Sequence, residues 1–388
     1  MVQKDQTYFD ITVKTFQGFE SILVDELKAL GAKQITAEKR SVNFKGDLKM
    51  LYKANLHLRT ATKVLVPIAS FKAFNEIFFQ KKVMEIDWSK YLTSKDTFYI
   101  DTNVMSKFLR NPASLTQKVK DSILGHFRKK DKPQPVVKAE DPDLRLNLHV
   151  FNEMVVLALD SSGEFLFKRA YWAEKPESYV NEVLSAGLIL MSGWDKKTFF
   201  LDPMCGSASL VFEAALIANN IAPNIYANSF GFMKWKDFDK YLWDEVVKEA
   251  KAGELHSIVK ILGYDASPSA IKLAKKNQRY ANLLGKVDFE VQDVFDMDMR
   301  NEKGFMILIP PATERIGKFD IYAYYSKLGN LLKTKFSNFT VCMLCPDQNA
   351  LQTLNFKPVF KKTLLNGKIE SYFEKYLLYK SKIKEDDF

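Results

Sequence analysis

Cysteine is scarce: three residues in 388 are too few for a disulfide framework, which points to a reducing compartment. Long apolar runs are also missing. None approaches the ~20 residues that span a bilayer, and Met1-Val2-Gln3-Lys4-Asp5-Gln6 lacks the apolar region of a signal peptide. A cytoplasmic protein without membrane association is therefore expected. His57, His126, His149 and His256 form no ligand-spaced pair. The one C-x-x-C, Cys342 and Cys345, lies in Phe339–Cys345, which reads as a short buried strand. An odd separation along a strand puts the thiols on opposite faces, so core packing is expected there and no metal site.

What is present is an ordinary globular composition, 47% hydrophobic and 27% charged, which excludes disorder and a collagen-like chain. At roughly 100–200 residues per domain the length suggests two or three domains. Lys and Arg number 57 against 47 Asp and Glu, a formal charge of +10 that permits a polyanionic partner without demanding one. The most basic stretch, Arg128-Lys129-Lys130-Asp131-Lys132, runs through Pro133-Gln134-Pro135 to Lys138. It reads either as a solvated loop or as a phosphate-contacting surface.

Up to about residue 165 the pattern is mixed α+β. Leu23, Leu27 and Leu30 recur at helical spacing after the strand Tyr8 to Val13, and further helices are expected over 48–58, 76–83 and 114–126. Beyond Phe165 helix and strand alternate, which is the signature of a parallel sheet covered on both faces. Strands over 199–201, 258–264 and 287–291 end at Asp202, Asp265 and Asp293, and a fourth over 304–308 ends at Ile309-Pro310-Pro311. Near the C-terminus Asn366-Gly367 signals a type I′ hairpin.

Open α/β sheets bind ligands at the carboxyl ends of their strands. Gly206, flanked by small Ser207 and Ala208, lets backbone approach a ligand. Asp265 can accept from two ribose hydroxyls and Asp293 from an exocyclic adenine amine, because an ionised carboxylate is acceptor-only. Each carboxylate alone reads equally as a strand-end or N-cap residue. The three together point to a nucleoside-bearing cofactor. The first loop lacks G-x-G-x-x-G and so has no cradle for a pyrophosphate, which favours S-adenosylmethionine over a dinucleotide.

Asp202-Pro203-Met204-Cys205-Gly206-Ser207, followed by Glu213-Ala214-Ala215 and Ile221-Ala222-Pro223, resembles the THUMP-domain class I RNA methyltransferases. The nearest group is the bacterial ribosomal-RNA guanine-N2 methyltransferases, which are also labelled adenine-N6 DNA methylases. The resemblance extends through Asp160-Ser161-Ser162-Gly163-Glu164, Lys168-Arg169, Ser192-Gly193-Trp194, Trp235 to Trp243, Glu314-Arg315-Ile316-Gly317 and Asn366-Gly367. It implies an α/β fold: a Rossmann-like seven-stranded class I methyltransferase domain over 166–388, preceded by an α+β ferredoxin-like segment over 1–46 and a THUMP RNA-binding domain over 47–165. A helical insertion after the first loop would explain why Asp265 lies 59 positions past Gly206.

The implied cofactor is S-adenosylmethionine, held by Asp202, Pro203, Met204, Cys205, Gly206, Asp265, Asp293 and Val294, with RNA as partner and no metal. In the family an Asn-Pro-Pro-Tyr motif steers an exocyclic amine toward the methyl group and stacks on the base, so catalysis rests on positioning and dipoles. Here the motif reads Ile309-Pro310-Pro311-Ala312, which leaves the Pro310 carbonyl as the surviving acceptor. The second loop glycine is Ala208, and the usual Arg-Gly-Tyr-Arg reads Arg169-Ala170-Tyr171-Trp172, with Ser178-Tyr179-Val180-Asn181-Glu182 following. Phe305, Tyr322, Tyr324 and Tyr325 are the aromatics available to replace the lost stack. Two functions therefore stay open, a guanine-N2 methyltransferase of ribosomal RNA and a cofactor- and RNA-binding relative without turnover. Adenine-N6 methylation of DNA is a third.

Overall fold

Helix and strand alternate along the computed structural model, which describes residues 8–128, 133–174, 179–310 and 320–379. The first strands are β1 (Phe9–Thr15), β2 (Lys33–Glu38), β3 (Ser41–Gly46) and β4 (Ala61–Lys72), with helices α1 (Glu20–Ala29) and α2 (Leu48–His57) between them. Then come α3 (Glu76–Met84), β5 (Thr97–Met105), α4 (Pro112–Arg128), β6 (Val136–Val137), β7 (Leu144–Phe151) and β8 (Met154–Asp160). The later elements are α5 (Glu182–Ser192), β9 (Phe199–Asp202), α6 (Ser209–Ala218), α7 (Lys240–Ala252), β10 (Ile261–Asp265), α8 (Pro268–Tyr280), β11 (Asp288–Val291) and β12 (Gly304–Leu308). They are followed by α9 (Ile321–Lys335), β13 (Phe339–Cys345), α10 (Gln348–Thr353), β14 (Phe360–Asn366) and β15 (Ile369–Leu377). No helix among the described residues is long and apolar enough to cross a membrane.

Two units result. The first takes residues up to Thr15, Leu23–Lys168 and Ala227–Glu249. Its eight strands form one sheet in the order β2-β3-β1-β4-β8-β7-β5-β6. β4 makes this continuity possible. Its first half pairs with β1 (Val13↔Val64) and its second half with β8 (Ser70↔Val156), so the N-terminal segment and the following domain share a strand. The register shifts between Pro67 and Ala69, next to the residue that lacks a ladder N–H. α3 and α4 bury Phe79, Val83, Leu115, Val119 and Ile123 against Phe98, Leu146, Leu148 and Leu157 of the sheet.

Asp160-Ser161-Ser162-Gly163 proves to be a structural joint of this unit. The Asn55 amide donates to Ser161 Oγ at 2.9 Å and accepts from Ser162 Oγ at 2.8 Å, while Asp160 pairs with the buried Lys63 ammonium. Segment 227–249 packs here too. Tyr52 stacks on Phe232 at 4.4 Å and meets Trp243 edge-on at 5.9 Å. The Asp239 N–H donates to the Tyr52 hydroxyl at 3.0 Å, and the Lys236 ammonium donates to the carbonyls of Ser89 and Leu92 at 2.7 and 2.6 Å. Of the basic stretch, residues 129–132 lie outside the described residues; Lys138 is exposed beside β6.

The second unit takes Phe16–Ile22, Arg169–Tyr226 and Ala250–Phe388. Its seven strands run β11-β10-β9-β12-β13-β15-β14. The first five are parallel, and β15 runs antiparallel to both its neighbours, β13 and β14. The order reverses at β9, whose neighbours are β10 and β12, and this is the switch point at which α/β sheets bind ligands. Alternate residues of β10 face opposite sides: Gly263 lies against Val211 of α6, whereas Leu262 joins Leu328, Leu331 and Leu332 of α9 in the other core. The loop leading into α6 and the start of α9 therefore border the strand tips from opposite faces.

Two sequence expectations are refined. Cys342 and Cys345 are both buried on β13, and Cys345 Sγ accepts from the Tyr325 hydroxyl at 3.0 Å. The C-terminal hairpin forms, but Asn366 pairs with Ile369, so Gly367-Lys368 is the turn and only Gly367 has positive φ (65°). That is the type II′ pattern and not type I′.

Gly231 tests the docking of segment 227–249, because a Cβ there would stand 2.5 Å from the Asp160 carbonyl and 2.9 Å from the Gly163 nitrogen. Gly231→Ala should lower unfolding stability by about 1–3 kcal/mol, read as a lower urea midpoint. An unchanged midpoint would show that this segment is not packed as described.

Candidate cofactor site

The tips of β9, β10 and β11 lie side by side, with Gly263 in register with Asp202 and Asp265 in register with Val291. The loop after β9 is fastened to the tip of β10 twice. The Cys205 N–H donates to the Tyr264 carbonyl at 2.8 Å, and the Gly206 N–H donates to Asp265 Oδ2 at 2.9 Å. Asp265 Oδ1 accepts from the Ser267 N–H at 2.9 Å, in the turn that opens α8. Each carboxylate oxygen thus holds one backbone donor, which fixes its direction and leaves further lone pairs for a ligand.

Gly206 has φ +48°, and a Cβ there would meet nothing within 4 Å. Open space beside Gly206 and a fixed acceptor pair leave room at this tip for a hydroxyl-bearing ligand. Ala208 also has positive φ (67°) and is fully buried, so this alanine occupies a conformation that a glycine adopts without strain. Pro203 is buried and Met204 half-buried.

Asp202 is buried and accepts from the Met204 N–H at 3.2 Å. Burial pushes its carboxyl up to about 8; the Met204 N–H opposes the rise and the Asp265 charge adds to it. The same burial, with both neighbouring carboxylates, holds the Cys205 thiol well above its ordinary value, which disfavours the thiolate. Asp293 is exposed, and its Oδ1 accepts from the Phe295 N–H at 2.9 Å. Val294 turns inward and packs in the core that also contains Leu262 and Tyr264.

At the fourth tip Ile309 is half-buried and Pro310 buried; Pro311 and Ala312 lie outside the described residues, as do residues 314–317 of the resemblance. Of the four aromatics, Phe305 and Tyr325 belong to the core, Tyr322 is exposed, and Tyr324 reaches Met204 of the first loop. A buried polar cluster that sequence reasoning did not assemble lies between α5 and α6. Arg169 pairs with Glu213 at 3.3 Å with both side chains fully buried, Tyr171 donates to the same carboxylate at 3.2 Å, and Trp172 Nε1 donates to Glu182 at 2.7 Å. Trp172, where the family pattern has arginine, thus supplies a donor to Glu182. Two adjacent rings close behind Arg169 were its signal in the sequence. Ser178 lies outside the described residues.

Asp202 gives a pH prediction. Its folded-state pKa, about 8, lies above the ordinary 3.8, so the folded state holds the proton longer than the unfolded chain. Its contribution to stability is therefore whole below about pH 4 and is lost as pH rises toward about 8, at on the order of 1 kcal/mol for each pH unit. Asp202→Asn should abolish that slope and exceed the unsubstituted protein in stability at pH 8, as measured by urea unfolding across pH. An unaltered slope would contradict the assignment.

Three family profiles match the chain: an RlmL ferredoxin-like domain over residues 10–65, a THUMP domain over 72–160, and the RMKL-like methyltransferase domain over 169–374. A ribosomal RNA large subunit methyltransferase K/L from Shewanella oneidensis is 32% identical over 376 residues, covering 95% of this chain. The chain spans about half (53%) of that relative's length. Among solved structures, SMU.472 complexed with SAH is 26% identical over 96% of this chain and 98% of its own, with a TM-score of 0.86. A "predicted N6-adenine-specific DNA methylase" from Listeria monocytogenes is 25% identical over 96% and 97%, also at 0.86. Since the methyltransferase profile takes in more than half of its residues and the seven-stranded sheet has the expected switch point, the chain belongs to the RMKL-like methyltransferase family and has the class I S-adenosylmethionine-dependent methyltransferase fold.

Proposed function

We propose that the chain is an S-adenosylmethionine-dependent RNA methyltransferase that acts on guanine N2 of large-subunit ribosomal RNA. The observation that carries this reading is the Gly206 to Asp265 hydrogen bond, which sets a two-oxygen acceptor beside an open loop at the switch point. The SAH bound by SMU.472 supports the choice of cofactor. The Shewanella relative and the THUMP profile support ribosomal RNA over DNA.

In this reading Asp265 accepts from the ribose hydroxyls and Asp293 from the adenine amine. Asp202, Pro203, Met204, Cys205 and Gly206 form the loop beneath the cofactor, with Val294 behind Asp293. The bound cofactor supplies an electrophilic methyl group. The Pro310 carbonyl accepts one hydrogen of the target amine, and the Ile309 side chain supplies no second acceptor. An enzyme that loses one preorganised dipole of this kind commonly slows by about 10²–10³. Ile309 thus favours a second reading, a protein that binds cofactor and RNA without methyl transfer.

Incubation of the full chain with labelled S-adenosylmethionine and unmodified large-subunit ribosomal RNA, followed by nucleoside mass spectrometry, separates the readings. N2-methylguanosine is expected. N6-methyladenosine would contradict the base assignment, and no product would favour the binding-only reading. Ile309→Asn should raise turnover about tenfold or more if the missing acceptor limits the rate. Unchanged turnover would place the limit elsewhere.

A further inference from the structure

Tyr324 lies in the first turns of α9 and is half-buried. Its hydroxyl stands 3.7 Å from Met204 Sδ, and its ring meets Phe295 edge-on with centroids 5.5 Å apart at 88°. Met204 lies between Asp202 and Gly206 in the loop after β9. Phe295 lies just past the tip of β11, and its N–H is the one that Asp293 accepts. In the sheet order β11-β10-β9, a single side chain thus touches elements on both sides of the β10 tip that carries Asp265. It does so from the α9 face, opposite the face covered by α6.

Tyr324 is also held in place. Lys327, one turn along α9, sits 4.2 Å from the Phe295 ring centroid, so Phe295 is fixed by two side chains of the same helix. The described partner of the Tyr324 hydroxyl is a thioether, a weak acceptor, which leaves a donor available to a ligand. Burial, and secondly the Asp293 charge, push this phenol up to about 12, so it keeps its proton throughout the physiological range.

We infer that Tyr324 is a cofactor-contacting residue that walls the adenosine end of the site on the face opposite α6, presenting its ring edge and hydroxyl to the nucleoside. This rests on the cofactor reading above. It gives Tyr324 a different role from a replacement base stack, because Met204 and Phe295, its described neighbours here, follow the tips of β9 and β11. A ring that contacts a purine contributes about tenfold or more in affinity.

Calorimetry on the full chain with S-adenosylhomocysteine and with 5′-methylthioadenosine tests this, since the second ligand keeps the nucleoside and lacks the amino-acid end. Tyr324→Ala should weaken both ligands by the same factor, about tenfold or more, and Tyr324→Phe should recover most of the loss. If the alanine variant unfolds, Tyr324→Leu takes its place with the same expectation. Wild-type affinity in these variants, or a loss confined to S-adenosylhomocysteine, would overturn the role of Tyr324 alone. Failure of the unsubstituted chain to bind either ligand would overturn the cofactor reading with it.

Discussion

The hydrogen bond from the Gly206 N–H to the Asp265 carboxylate is the constraint on which the site depends. It ties a loop that has no regular structure to the end of a buried strand, and it aims a carboxylate that would otherwise rotate. The second tie, Cys205 N–H to the Tyr264 carbonyl, makes the loop continuous with the sheet. An acceptor held by backbone donors on both oxygens costs little to organise when a ligand arrives, which is the physical content of preorganisation.

The cost of this arrangement appears at Asp202. A second carboxyl is buried beside the first with one described donor, and it resists ionisation as a result. That carboxyl therefore holds its proton longer than an exposed one would. The Arg169–Glu213 pair shows another arrangement, in which a buried carboxylate faces a buried guanidinium.

Much of this was legible in the sequence because the signals are local. Strand-end aspartates, a small-residue loop and alternating apolar runs depend on neighbours within a few positions, and the tips of β9, β10 and β11 fall where those signals put them. The strand expected from Ile258 begins instead at Ile261, with Ile258 fully exposed, since β-propensity alone does not decide where pairing starts. What was not legible depends on distant contacts. The sharing of β4 between two pairings, the packing of segment 227–249 with Tyr52, and the reach of Tyr324 to Met204 link residues roughly 50 to 190 positions apart, a scale on which sequence patterning carries no signal. Asp160-Ser161-Ser162-Gly163 shows the converse: a motif carried by family resemblance that turns out to hold α2 to the end of β8.

A crystal structure of the chain grown with S-adenosylhomocysteine tests whether the three strand tips hold the cofactor. The ribose hydroxyls are expected on the two Asp265 oxygens, the adenine edge at Asp293, and the loop from Asp202 to Gly206 unmoved. A ligand bound away from these three tips, or one that displaces the Gly206 N–H from Asp265, would contradict that placement.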